Sequence, residues 1–139
     1  MILLLEIFLI IGIVVALLII LIALRSRKGH KAMDQSYFKA EWAKILKAVP
    51  TGEQGWRLAI IDADKLVDHA LKQHGAKGES MGERLRDREK LFSSYNNLWS
   101  AHKMRNRLVH EPGVKLTKQL TGKILKEFQL ALKELGALQ

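Results

Sequence analysis

The sequence contains no cysteine. Disulfides, a thiol nucleophile and any cysteine-ligated zinc or iron–sulfur centre are therefore excluded, and a reducing compartment suits the chain. Proline occurs only at positions 50 and 112, and both lie where a helical pattern of apolar residues stops. No stretch of useful length alternates apolar and polar residues with period two, which argues against a half-exposed β-sheet. Internal repeats and low-complexity tracts are also missing. Acidic residues are in deficit, 14 against 23 lysines and arginines, for a net charge of +9. Glu6 against Arg25, Arg27, Lys28 and Lys31 leaves the first 31 residues at +3, and 19 basic against 13 acidic residues leave the rest at +6. A basic domain suits anionic partners such as nucleic acid or a phospholipid surface, although a solvated charged face needs no partner at all.

What the chain has in abundance is an apolar start. Ile7 to Leu24 is an unbroken run of 18 apolar residues, which with the residues before it reaches the ~20 needed to span a bilayer core. A cleaved signal peptide would place basic residues before the run and a small-x-small site after it. Here no basic side chain precedes the run and "RSRKGHK" follows it. The expectation is an uncleaved transmembrane anchor over residues 1–24 and a basic linker over 25–34. Because the flanking charge lies on the C-terminal side, the N-terminus should be outside and the soluble domain cytoplasmic, in a single-pass protein of the cell membrane. Gly12 and Ala16, four apart, form a small-xxx-small pair through which two spans could associate.

Residues 35–139 are long enough to bury a core of their own. Apolar residues recur there at intervals of three and four, which predicts helices over about 35–49, 53–74, 81–92, 95–110 and 117–135. Phe38, Trp42, Ile45, Leu46 and Val49 share the face of the first. Thr51 with Gln54, and Ser80 with Glu83, have the spacing of capping boxes, and Thr117 is placed to cap the last helix. Gly122 lies inside that last helix, where it costs about 1 kcal/mol relative to alanine. The predicted fold is all-α: one N-terminal transmembrane helix followed by an antiparallel bundle of four to five helices.

The helix over 95–110 is anomalous. Its sequence "LWSAHKMRNRLVHEP" puts Leu98, His102, Arg105 and Val109 on one stripe, with Asn106 and His110 along the edge. Lys103 and Arg107 fall on other faces. A stripe beside the core that carries ionisable groups has three readings. One is a buried polar network, with Arg105 paired to a carboxylate of the helix before it and the histidines hydrogen-bonded. Asp64 and Asp68, four apart at the border of that helix's apolar face, are the carboxylates in reach, though an exposed acidic edge is the simpler expectation for them. Metal binding is the second reading, and spacing removes it for a single ion. His102 and His110 stand about 12 Å apart along the axis at ~1.5 Å per residue, against ligand distances near 2 Å. The third is a phosphate-handling site, in which arginine offers a planar fork and histidine a proton near neutrality. His69, His74 and His30 read as surface residues. Lys118, Lys123, Lys126 and Lys133 form a basic face that could follow an RNA backbone.

"RNRLVH", Arg105 to His110, resembles the Arg-x4-His signature of the HEPN superfamily, with asparagine directly after the arginine. Trp99 in "LWSAHKMRN" resembles the aromatic lead-in of these domains, and "HEP" before a final long helix is similar as well. Ala59 to Leu85 resembles their second helix and the loop after it. The likeness covers most of residues 36–136 in helix order. It implies a metal-independent RNA endonuclease that works as a dimer, with no cofactor. Arg105 would bind the scissile phosphate, His110 would carry the proton of the attacking or leaving oxygen, and Asn106 would orient either of them. The alternative is a non-catalytic adaptor at the cytoplasmic membrane face that dimerises, binds a nucleotide or phosphate, or engages another protein.

Overall fold

The computed structural model describes residues 1–26 and 32–139. Arg27, Lys28, His30 and Lys31 of the expected linker lie outside the described residues. All secondary structure in the described residues is helical, and the chain divides into two units, Met1–His30 and Lys31–Gln139.

The first unit is one helix, α1 (Ile2–Ser26). Its 25 residues extend about 37 Å at ~1.5 Å per residue, more than the ~30 Å of a bilayer's hydrocarbon. The window Glu6–Ala23 has a mean hydropathy of 3.2, and none of it is buried against protein. Apolar side chains surround the axis on every side, so α1 has no polar face to turn to water. It is long and apolar enough to cross a membrane.

The second unit contains α2 (Gln35–Ala48), α3 (Glu53–Gln73), α4 (Met81–Asp87), α5 (Tyr95–His110) and α6 (Lys118–Glu134). The long amphipathic α3 is the central element and packs against all four of the others. Short connections join the packed pairs α2–α3 and α5–α6, which turns them into antiparallel hairpins. Their shared core includes Phe38 and Ile45 of α2, Ile60, Val67 and Leu71 of α3, Leu85 of α4, Leu98 of α5, and Phe128 and Leu132 of α6. The last residues fold back as well. Ala137 and Leu138 are buried, and Gln35 Nε2 donates to the Gly136 carbonyl at 3.1 Å.

Local sequence explains most helix ends. Ser80 and Glu83 form the reciprocal capping box expected of them, and the Thr117 hydroxyl accepts from the Leu120 amide at 3.1 Å. Gly75, at φ 77°, closes α3 with the Ala76 amide donating to Leu71 O at 2.9 Å. Three expectations fail. Thr51 does not cap α3. Its hydroxyl instead donates to Ala48 O at 2.7 Å, because the α2–α3 connection is a tight 3-10 turn over Val49–Thr51. That turn brings Gly55 so close that a Cβ there would lie 1.9 Å from Ala48 O. The helix expected over 81–92 stops at Asp87 and continues as a 3-10 turn, Glu89–Leu91. The loop before it holds this end, since Arg88 Nη2 donates to Gly75 O at 2.7 Å and Asp87 accepts from the Lys77 amide at 2.9 Å. Finally, Leu46 and Val109, expected on apolar faces, are 45% and 50% exposed. α5 turns Ala101 and Leu108 inward in place of Val109.

Candidate functional site

Asp64 occupies a core position of α3. Ile60, Asp64, Val67 and Leu71 follow one another at intervals of four, three and four, and Asp64 is only 1% exposed. A carboxylate there must find charge and hydrogen bonds within the protein. α5 supplies both. His102, itself buried, donates from Nδ1 to Asp64 Oδ1 at 2.8 Å. Arg105 Nε stands 3.0 Å from Asp64 Oδ2, a charge pair that lacks the alignment of a hydrogen bond.

Asn106 closes the circuit. Its Oδ1 accepts from Arg105 Nη1 at 2.8 Å, and its Nδ2 lies 3.3 Å from His102 Nε2. Arginine can only donate, so the asparagine oxygen must face it and the amide N–H2 must face the imidazole. That inventory assigns the His102 hydrogen to Nδ1 and leaves Nε2 as acceptor. Asp64, His102, Asn106 and Arg105 thus form one closed ring in which each member fixes the orientation of the next.

The ring has two flanks. On one, Trp99 lies against His102 with centroids 5.9 Å apart. Tyr95 stacks on the same indole at 6.1 Å, and Arg86 Cζ is 5.1 Å from it. Gly82 permits this approach, because a Cβ there would meet the Trp99 ring at 3.3 Å. On the other flank a cleft of about 240 Å³ is lined by Asp64, Lys65, Asp68, His69, Lys72, Met81 and Arg105. Asp68 is already committed, to Arg84 Nε at 2.7 Å and Lys72 Nζ at 2.8 Å. Burial pushes its carboxyl pKa up, but the hydrogen bonds from Arg84 and Lys72 outweigh that and hold it below the ordinary range. Arg105 differs. Its side chain is 24% exposed, and Nη2 has no hydrogen-bond or ion-pair partner among the described residues.

Of the three residues singled out in the sequence, Arg105 and Asn106 are brought together and His110 is not. Five positions turn an α-helix through about 140° beyond one revolution at 3.6 residues per turn. His110, the last residue of α5, is exposed and lines no part of the cleft. Lys103 and Arg107 face solvent, the latter paired to Glu111 at 2.9 Å. Asp64 is no exposed acidic edge: it is the buried centre of the ring. Sequence reasoning had no role for Arg57, which holds the end of α5 by donating to Leu108 O at 3.2 Å and Val114 O at 2.7 Å. It also missed Arg84 as the partner of Asp68.

Comparison with known proteins finds no matching family model, and no similar curated protein or solved structure.

Proposed function

We propose that residues 35–139 are a HEPN-like module that binds phosphate groups, those of RNA or a nucleotide, and that the module acts as a dimerising adaptor rather than a nuclease. In this reading α1 anchors it in the cell membrane with the domain on the cytoplasmic side, where the positive charge after the span belongs. The observation that carries the reading is the state of Arg105. Asp64 and Asn106 hold the guanidinium by Nε and Nη1, and Nη2 remains free at a cleft shared with Lys65 and Lys72. A guanidinium oriented from behind, with Nη2 open beside Lys65 and with Lys72 already paired to Asp68, suits a phosphate oxygen. Cleavage would also need a proton carrier at the same phosphate; His110 lies elsewhere on α5, and His69, the imidazole that does line the cleft, is engaged by Gln73 at 2.9 Å.

One observation favours the nuclease as a second reading. His110 is exposed and makes no hydrogen bond or ion pair among the described residues, so a second copy could present its own His110 to this Arg105. A single assay separates the two. Full-length protein in lipid nanodiscs is titrated with labelled single-stranded RNA in EDTA, and both anisotropy and strand length are followed. The adaptor reading expects saturable binding, a loss of at least tenfold in affinity for Arg105→Ala, and intact RNA. EDTA-resistant cutting that disappears in His110→Ala would replace it with the nuclease. Unchanged binding by Arg105→Ala would remove the site altogether.

A further inference from the structure

The hydrogen bonds of the Asp64 ring follow one another in a single direction. Arg105 Nη1 donates to Asn106 Oδ1, the Asn106 amide N–H2 faces His102 Nε2, and His102 Nδ1 donates to Asp64. Histidine is the side chain that ordinarily changes charge between pH 5 and 8, and it is the one member that can break this direction. A second proton, on Nε2, turns that atom into a donor, which then faces the donor Nδ2 of Asn106 at 3.3 Å. Asn106 relieves the conflict by rotating its amide and offering Oδ1 to the imidazole. The rotation turns N–H2 towards Arg105 Nη1, so two donors meet where a 2.8 Å hydrogen bond stood. A protonated His102 and an Arg105 bound by Asn106 are therefore incompatible.

The charges around His102 decide what resolves that conflict. α3 presents the Asp64 carboxylate to it, and Lys65, Asp68, His69 and Lys72 line the adjoining cleft. α4 presents Gly82, at which a Cβ would lie 3.9 Å from His102 Nε2. Arg86 of α4 stands over the same indole that packs on His102, and Arg84 is committed to Asp68. α5 itself brings Arg105, whose Nε already faces Asp64. One buried carboxylate thus serves Arg105 alone in charge, and a proton on His102 adds a second cation to it. An anion at Arg105 removes both obstacles. It offsets the added charge, and it gives Nη1 and Nη2 an acceptor, which frees Asn106 to turn towards the imidazole.

We propose that phosphate binding at Arg105 is coupled to proton uptake by His102, with the Asn106 amide as the relay, so that the site holds an RNA phosphate more tightly as pH falls. This regulation rests on the phosphate-binding reading and concerns the same site. The phosphate takes both Nη atoms of Arg105 while Nε stays beside Asp64. Asn106 rotates, and a proton from solvent joins His102 at Nε2, bonded to Asn106 Oδ1. That proton remains on the imidazole, with Asn106 between it and the phosphate, so the device governs binding and not cleavage. The coupling is reciprocal: RNA favours protonated His102 by the same factor by which the proton tightens RNA.

The test titrates full-length protein in detergent micelles with a uridine-only RNA, whose bases and phosphodiesters keep their charge between pH 5 and 8. His102→Asn retains an amide N–H for Asp64 but takes up no proton. From pH 7.5 to pH 5.5 the affinity of wild type should rise at least fivefold more than that of His102→Asn; any gain from His69 is common to both and cancels. Nitrogen-15 spectra of the histidine rings supply a readout that needs no altered His102. With saturating RNA, the two His102 ring nitrogens should converge, as they do in an imidazolium, at a pH higher by about one unit than without RNA, a tenfold coupling. In Asn106→Ala that displacement should be mostly lost. Equal pH gains in wild type and folded His102→Asn, or an RNA-independent His102 titration, would overturn the coupling and leave the phosphate site standing. An undiminished displacement in Asn106→Ala would overturn the relay, since charge alone would then carry the effect. RNA bound at neither pH would overturn the phosphate-binding reading itself, and the coupling with it.

Discussion

Two arginine–aspartate pairs stand one turn apart on α3, and they are built differently. Asp68 is bound by Arg84 and Lys72. Arg84 is itself 6% exposed and turns Nη1 to the Gly78 carbonyl at 2.7 Å, so its charge and its donors tie α4 and the loop before it to α3. Asp64 is bound by Arg105 and His102. Here the carboxylate is deeply buried while the arginine keeps a free edge at the cleft. The first pair is complete as a structural clamp. The second spends a buried carboxylate and two further polar side chains on orienting a guanidinium that remains partly open, which is how a binding group is preorganised.

That difference is broken most severely at Asp64. Asp64→Ala leaves the Arg105 charge without its buried partner and removes the acceptor of His102. Breaking a buried ion pair from one side costs about 3–5 kcal/mol. Chemical denaturation of the full-length protein in detergent should show a loss of that size, well above the loss for Asp68→Ala, whose side chain borders solvent. Equal losses would mean that the two pairs are equivalent and that the ring has no special role.

How much of this the sequence carried can be judged from the same residues. The helical periods of three and four, the Ser80–Glu83 box and the Thr117 cap locate the helices, because those signals are local. The ring was half legible. His102, Arg105 and Asn106 stood out as polar groups on an inward stripe, and Asp64 follows Ile60 by four and precedes Val67 by three, a core spacing. Its nearness to Asp68 made both look like one acidic edge. Only the rotation of α3 separates them, and that is set by packing against four neighbours. Thr51 and the helix expected over 81–92 failed for a related reason: in each, a contact made by the connecting turn outbid the local motif. The separation of Arg105 from His110 follows from helix geometry alone; a pairing between two copies lies outside a single chain.

The comparison is sharpened by removing the arginines. Arg84→Ala takes away two hydrogen bonds and a buried side chain and should cost about 2–3 kcal/mol. It should also open the 74–80 loop to limited proteolysis, while RNA affinity changes less than twofold. Arg105→Lys keeps the charge but loses the fork. Its stability loss should stay near 1 kcal/mol, since water reaches the vacated edge, and RNA affinity should fall at least fivefold. If Arg84→Ala weakens RNA binding more than Arg105→Lys does, the functional contrast between the pairs is reversed.

The smallest effect is the pH dependence of the Asp68 clamp. Its folded pKa is depressed below the ordinary carboxylate value, because Arg84 and Lys72 outweigh the cost of burial. A group of this kind contributes stability that is fully present above its unfolded pKa, about 4, and is lost as pH falls through the folded value. Wild type should therefore exceed Asp68→Asn in melting temperature by a constant margin from pH 5 to pH 8, and the margin should close below about pH 4. Lys72 is an exposed partner, so solvent screening keeps the margin modest. In 1 M salt the Lys72 contribution should be screened first, since the Debye length there is only about 3 Å, whereas the buried Arg84 contact should persist. A margin that vanishes entirely in salt would show that Arg84, despite its burial, contributes through packing and its bond to Gly78 and not through the charge on Asp68.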